Sequence, residues 1–121
     1  MTESLAQMPD QLFPVDVLQA PSSEATWRVA HSKSRREKKL AQFLVAHNIG
    51  YYLPLLKRRQ PGQKRNRFSY VPAFGNYVFI KATDHDRHLA MRSNHIARVI
   101  EVQNQSRLVR ELQQLQAALV V

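Results

Sequence analysis

The chain has 121 residues, enough for one domain with a core of its own. It has no cysteine, which excludes disulfides and thiolate metal sites, and its three glycines are too few for a phosphate-cradling glycine loop. Eighteen Lys and Arg against nine Asp and Glu leave a net charge of +9, the balance of a protein that meets a polyanion rather than another base.

Residues 1–24 hold prolines at 9, 14 and 21 and four acids with no Lys or Arg. They read as a mobile acidic tail with a short apolar anchor at "LFPVDVL". The first ten residues have neither the basic nor the apolar stretch of a signal peptide. No apolar run approaches the roughly 18 residues of a membrane span, and the chain reads as cytoplasmic. One domain is expected over residues 25–121. "TWRVAH" alternates Trp27, Val29 and His31 against Arg28 and Ala30 and predicts a strand. "SKSRREKKLAQFLVAHN" predicts a helix, capped by Ser32 or Ser34 and ended by Asn48 and Gly50, with Leu40, Phe43, Leu44 and His47 on one stripe. "YYLPLLKRR" reads as a strand, with Pro54 marking an edge or a bulge. After the turn "QPGQKRN", "RFSYVPAF" returns as the hairpin partner and "NYVFIKA" is the next strand. "DHDRHLAMRSN" predicts a short helix behind a Thr83 or Asp84 cap. "IARVIEV" is a last strand. "SRLVRELQQLQAAL" is a closing helix with Leu108, Leu112, Leu115 and Leu119 on a stripe. The order β-α-β-β-β-α-β-α, with a hairpin in its middle, predicts an α+β fold: a mostly antiparallel four-stranded sheet flanked by helices.

The positive charge is local. Residues 25–81 carry thirteen Lys or Arg against the single acid Glu37. On the first helix Arg35, Lys38, Lys39 and Gln42 recur at helical spacing opposite Leu40 and Leu44. That ridge suits phosphates along a nucleic-acid backbone, although an ordinary solvated face has the same pattern. The hairpin tip holds Lys57, Arg58, Arg59, Lys64, Arg65 and Arg67, either a nucleic-acid contact or a solvated loop. "DHDRH" offers Asp84, His85, Asp86 and His88, with the two histidines one turn apart, but no third His lies nearby and there is no HExxH-type pattern, so these are expected to be solvated polar residues. No metal and no cofactor are expected. No nucleophile–base pair stands out, and no enzyme activity is expected.

"FGNYVFIKA" raises a different question. Val78 and Ile80 point to one side of a strand, Tyr77 and Phe79 to the other, so both faces are apolar. Three covers for the second face stay open on the pattern alone. It could be an RNA-recognition sheet that stacks bases on its aromatics, although "AFGNYVFI" lacks the leading basic-Gly pair of that motif. A protein partner could lie across it. Helices could bury both sides.

"WRVAHSKSRREKKLAQFLVAHNIGYYLPLL", followed by a basic hairpin, "AFGNYVFI", a short helix and "IARVIEV", resembles the NusG amino-terminal domain family over about residues 25–119. That family has a Trp-led strand, a charged helix, a proline-bearing strand and a "LFPGY-V-F-V" strand. Asn76 before Tyr77 is similar to the "FPNY" of the specialised RfaH-like branch. The resemblance implies a transcription elongation and antitermination factor. Such a domain grips the clamp helices of RNA polymerase with an apolar depression, touches the gate loop across the cleft, suppresses pausing and turns a basic face to upstream or non-template DNA. By position it assigns the clamp-binding patch to His31, Phe74, Tyr77, Phe79, Val102, Val109 and Leu112, and a gate-loop contact to His88. It assigns basic or polar DNA-facing positions to Lys33, Arg36 and Lys39; with the ridge and the hairpin tip, the nucleic-acid set is Lys33, Arg35, Arg36, Lys38, Lys39, Arg58, Arg59, Lys64 and Arg65. The chain departs from the family where Gly75 replaces a proline, His31 an aromatic, Leu89 and Ala90 two threonines of the specialised branch, and His95 a glycine. The sequence also lacks the KOW domain that follows in the family.

Overall fold

A computed structural model of the chain describes residues 10–20, 23–59 and 68–119. Its elements are β1 (Leu12–Phe13), β2 (Thr26–Ser32), α1 (Glu37–Ala46), β3 (Gly50–Tyr52), β4 (Leu55–Arg59), β5 (Phe68–Pro72), β6 (Tyr77–Ala82), α2 (Asp84–Met91), β7 (Ile96–Glu101) and α3 (Gln105–Leu119). The fold is α+β. Five strands form one sheet in the order β1-β3-β6-β2-β7, and β4 and β5 form a separate hairpin sheet. Every pairing is antiparallel.

Three local expectations are corrected. The main sheet has five strands, not four, because the apolar anchor is itself a strand: Leu12 and Phe13 pair with Tyr52 and Tyr51, and Val17 and Leu18 are buried. Leu12 and Phe13 thus add an edge strand to the sheet, and Val17 and Leu18 pack beside it. The stretch "YYLPLLKRR" is two strands. Pro54 offers no N–H to a ladder, so β3 ends at Tyr52, and β4 leaves to pair with β5 while Ala73 N–H donates to the Pro54 carbonyl at 2.7 Å. Helix α1 starts later than Ser32 or Ser34 would allow. The Ser32 and Lys33 amides still donate sideways, to Asn76 O and His95 O at 2.8 Å each, so the chain stays extended past β2. Arg35 then takes a left-handed φ of 58° and Arg36 caps the helix without a side-chain bond. Arg35 therefore lies before the helix, and the helical part of the ridge is Lys38, Lys39 and Gln42.

Other signals act as read. Asn48, at φ 57°, ends α1, and the Ile49 amide donates back to Leu44 O at 2.8 Å. Thr83 caps α2 in a reciprocal pair with Asp86.

The sheet divides the core. On one face Leu40, Ala41 and Leu44 of α1 and Ala90 of α2 pack on Ala30, Val78, Ile80 and Ala82. On the other, α3 brings Leu112 onto Trp27 and Tyr52, together with Val17 and Leu18, and Phe79 packs at the margin. Strand alternation thus sends Val78 and Ile80 to the α1–α2 side and leaves Tyr77 and Phe79 half-buried on the α3 side.

Candidate functional site

The α3 side of the sheet is organised in cross-strand rows. Register places Leu12 beside Tyr52, Tyr52 beside Phe79, Phe79 beside Val29 and Val29 beside Ile100, an apolar row over all five strands. Toward one end, Lys81 and Trp27 form the next row, and there α3 closes down. The Gln105 side chain fastens that end. Its oxygen accepts from Trp27 N–H at 2.7 Å, and its amide donates to Trp27 O and Val102 O at 2.8 Å each. Toward the other end, Tyr77 lies beside His31 and His31 beside Arg98.

That second end is where the aromatics emerge. The His31 and Tyr77 rings stack at 4.9 Å and 14°. Phe74, in the turn before β6, meets Phe79 edge-on at 6.3 Å and is still 45% exposed. Phe79 in turn lies 6.4 Å from the buried Tyr52 ring. The turn is built by backbone chemistry. Asn76 takes a left-handed φ of 68° and Tyr77 N–H donates to Phe74 O at 3.2 Å. Asparagine is among the few non-glycine residues that tolerate this conformation.

The structure thus gathers His31, Phe74, Tyr77 and Phe79. The other sequence-assigned patch residues stand differently. Leu112 is only 3% exposed and serves as a packing residue beneath α3. Val109 flanks the same cluster, half-buried. Val102 sits past the end of β7, where its carbonyl is held by Gln105. Val29, Ile100 and Tyr52 extend the apolar row and were missed in the assignment, although the alternation of "TWRVAH" already set Val29 on the His31 side. Tyr52 is fully buried; its hydroxyl has no partner among the described residues, and burial pushes it up to about 12. Tyr51, on the opposite face, is likewise raised to about 12, first by burial and then by Asp10, whose carbonyl its hydroxyl bonds. His88 is exposed on α2, on the far side of the sheet, with Arg87 Nη2 3.5 Å from its Nε2.

A basic shoulder adjoins this aromatic turn. Lys33 Nζ donates to Asn94 Oδ1 at 2.6 Å, and Arg36 Nη1 lies 3.4 Å from His95 Nδ1. Burial, then the charges of Arg36, Lys39 and Lys33, hold the His95 imidazole below its ordinary value. Arg35, Lys38 and Lys39 line a pocket of about 370 Å³ together with Glu37, Pro72 and Gly75. Glu37, the lone acid of this stretch, is turned inward and accepts from Asn76 N–H at 2.8 Å. The visible surface of the shoulder is therefore cationic. Arg28 does not contribute to it, because it is buried against Asp84 and Glu101 at 2.8 and 3.2 Å. Arg58 is exposed on β4. The side chain of Arg59, with Lys64 and Arg65, lies outside the described residues. Among the described residues no three His, Cys, Asp or Glu side chains gather as metal ligands would, and no helix is long and apolar enough to cross a membrane.

Residues 25–117 match the family model described as NusG, transcription termination factor nusG. No curated protein matches the chain.

Proposed function

Because the chain belongs to the NusG family of transcription factors, we propose that its aromatic face docks on the clamp helices of RNA polymerase while its basic shoulder lies along the adjacent DNA, upstream duplex or non-template strand. The activity is binding, not catalysis: a domain that bridges the cleft disfavours clamp opening and so suppresses pausing, a shift of population between polymerase states. His88, across the sheet from the aromatic face, is free to reach a second point such as the gate loop. A specialised, RfaH-like role is supported in this chain by Asn76 at the turn. On this reading the protein works in the cytoplasm, beside the polymerase it serves.

The observation that carries the proposal is the open end of the α3 face. Helices α1 and α2 already seal one side of the sheet, yet Phe74 and the His31–Tyr77 stack remain at the surface of the other. Exposed aromatics grouped around a half-buried apolar row are what a protein interface uses as anchors.

The test is retention on purified core RNA polymerase at moderate salt. The wild-type chain is expected to bind. Phe74→Ala with Tyr77→Ala is expected to lose about 2 kcal/mol or more of docking free energy, with little change in thermal midpoint. Equal retention of the double variant overturns the docking face. Short single-stranded RNA that quenches tyrosine fluorescence in the wild type but not in Tyr77→Ala, with binding that survives excess polymerase, would instead assign the aromatics to base stacking.

A further inference from the structure

We infer that Glu37 is a positioning residue for the docking turn: from the first turn of α1 its carboxylate holds the backbone that presents Phe74 and Tyr77. Its consequence for binding rests on the docking reading above.

Glu37 is the only acid among residues 25–81. A glutamate on a lysine-rich helix would ordinarily face water and pair with its neighbours. This one is 8% exposed. Burying a carboxylate costs several kcal/mol unless it is paired and hydrogen-bonded, so its inward turn needs a use. The use on view is the 2.8 Å bond from Asn76 N–H to Oε1. The Asn76 carbonyl is held from the other side, accepting from Ser32 N–H at 2.8 Å. Both backbone groups of the left-handed residue are thereby fixed, one by α1 and one by β2. The turn's own Tyr77 N–H to Phe74 O bond at 3.2 Å and the edge-on contact of Phe74 with Phe79 add to these, but a Cβ at Gly75 would meet nothing within 4 Å and Phe74 is 45% exposed. The charge is tolerated because it lies at a helix N-terminus and because Arg35, Lys38 and Lys39 line the same pocket. Glu37 thus ties the cationic shoulder to the aromatic turn, and a turn fixed in advance costs less to dock.

The experiment uses the full chain with Glu37→Ala, Glu37→Gln and, in case the alanine variant fails to fold, Glu37→Asp, which shortens the reach by one methylene. Two readouts are taken. The first is independent of any partner: amide exchange at Asn76 and the ring resonances of Tyr77. In Glu37→Ala, and to a lesser degree in Glu37→Asp, the Asn76 amide is expected to exchange about tenfold faster, the loss of one charge-assisted bond, with the β2–β6 ladder unchanged. The second is affinity for purified core RNA polymerase. It is expected to fall about tenfold in Glu37→Ala and to return within about threefold of wild type in Glu37→Gln, whose amide oxygen accepts the same bond. Affinity for duplex DNA should not fall in either. An unchanged Asn76 amide and unchanged Tyr77 shifts overturn the strut, whether or not polymerase binds. A freed Asn76 amide with wild-type polymerase affinity overturns its role in docking. If wild type and Phe74→Ala/Tyr77→Ala hold polymerase equally, the docking reading falls alone and the strut is decided by the first readout.

Discussion

Phe79 belongs to two surfaces at once, with one ring neighbour buried in Tyr52 and the other exposed in Phe74. Its truncation would remove core packing along with any partner contact, so Phe79→Ala reports on both and separates neither. Phe74, exposed in the turn and outside the alternating pattern, is the cleaner probe, and Tyr77, half-buried like Phe79, stacks on His31 rather than on the buried Tyr52 ring. The residue after Phe74 allows a stability prediction. Gly75 has open space where a Cβ would go and does not occupy the left-handed region. Gly75→Ala should therefore stabilise the domain by about 0.4–1 kcal/mol, chiefly by restricting the unfolded chain. Asn76→Ala should do the opposite by about 1 kcal/mol, because alanine has no local hydrogen bond to offset φ 68°. Urea titrations of the two variants check the pair; a destabilised Gly75→Ala would mean that the turn depends on glycine in a way the open space does not show.

At the scale of elements, α3 is the helix whose seat decides how much of the aromatic row stays open. It buries only Leu112 fully, so its placement leans on Gln105, which binds both backbone groups of Trp27 as a neighbouring strand would. Gln105→Ala leaves both of them unpaired in a part-buried site. The expected loss is about 1–3 kcal/mol, read in urea melts, with faster amide exchange at Trp27 than at Val29. A wild-type melt would show that water replaces the side chain without cost. Gly50 sets the opposite margin: a Cβ there would stand 3.1 Å from Val17 Cγ2 and 3.3 Å from Phe13 O. This glycine lets Phe13 and Val17 lie close against the start of β3. Neither device was legible beforehand, and the reasons are physical. A two-residue strand such as Leu12–Phe13 is too short to show a period. A glutamine that completes a ladder looks like any polar residue after a turn. The start of α1 was missed because Ser32 and Lys33 are committed to sheet-like bonds with Asn76 and His95, a tertiary fact. What was legible had a local cause: the Thr83 cap, the left-handed Asn48, and the two-sided strand from Tyr77 to Ala82, whose alternation alone separates core from surface.

For the whole molecule the asymmetry of charge becomes an asymmetry of shape. Five cations, Lys33, Arg35, Arg36, Lys38 and Lys39, lie around the start of α1, and the one acid among them is spent on the turn. If all five neutralise duplex phosphates, the logarithmic salt slope of DNA binding should be about −4 to −5, and neutralising Arg35, Lys38 and Lys39 should flatten it by about 2 to 3. His95 adds a proton to this linkage. Its pKa is depressed in the folded chain, by burial and then by Arg36, Lys39 and Lys33. As pH falls through the ordinary histidine value near 6.5, the unfolded chain takes up a proton that the folded chain resists, so this site lowers stability on acidification until its own pKa is reached. A polyanion laid over the three cations screens part of what depresses His95 and draws the proton back. Binding to DNA should therefore take up protons and tighten as pH falls through the ordinary histidine range, with burial, the larger cause of the depression, limiting the gain. His95→Gln should remove that pH dependence while leaving the salt slope unchanged, because it changes no charge at pH 7.5. A variant that keeps the pH dependence would move the proton to another histidine. One that loses the salt slope as well would show that the His95 side chain organises the cations rather than titrating among them.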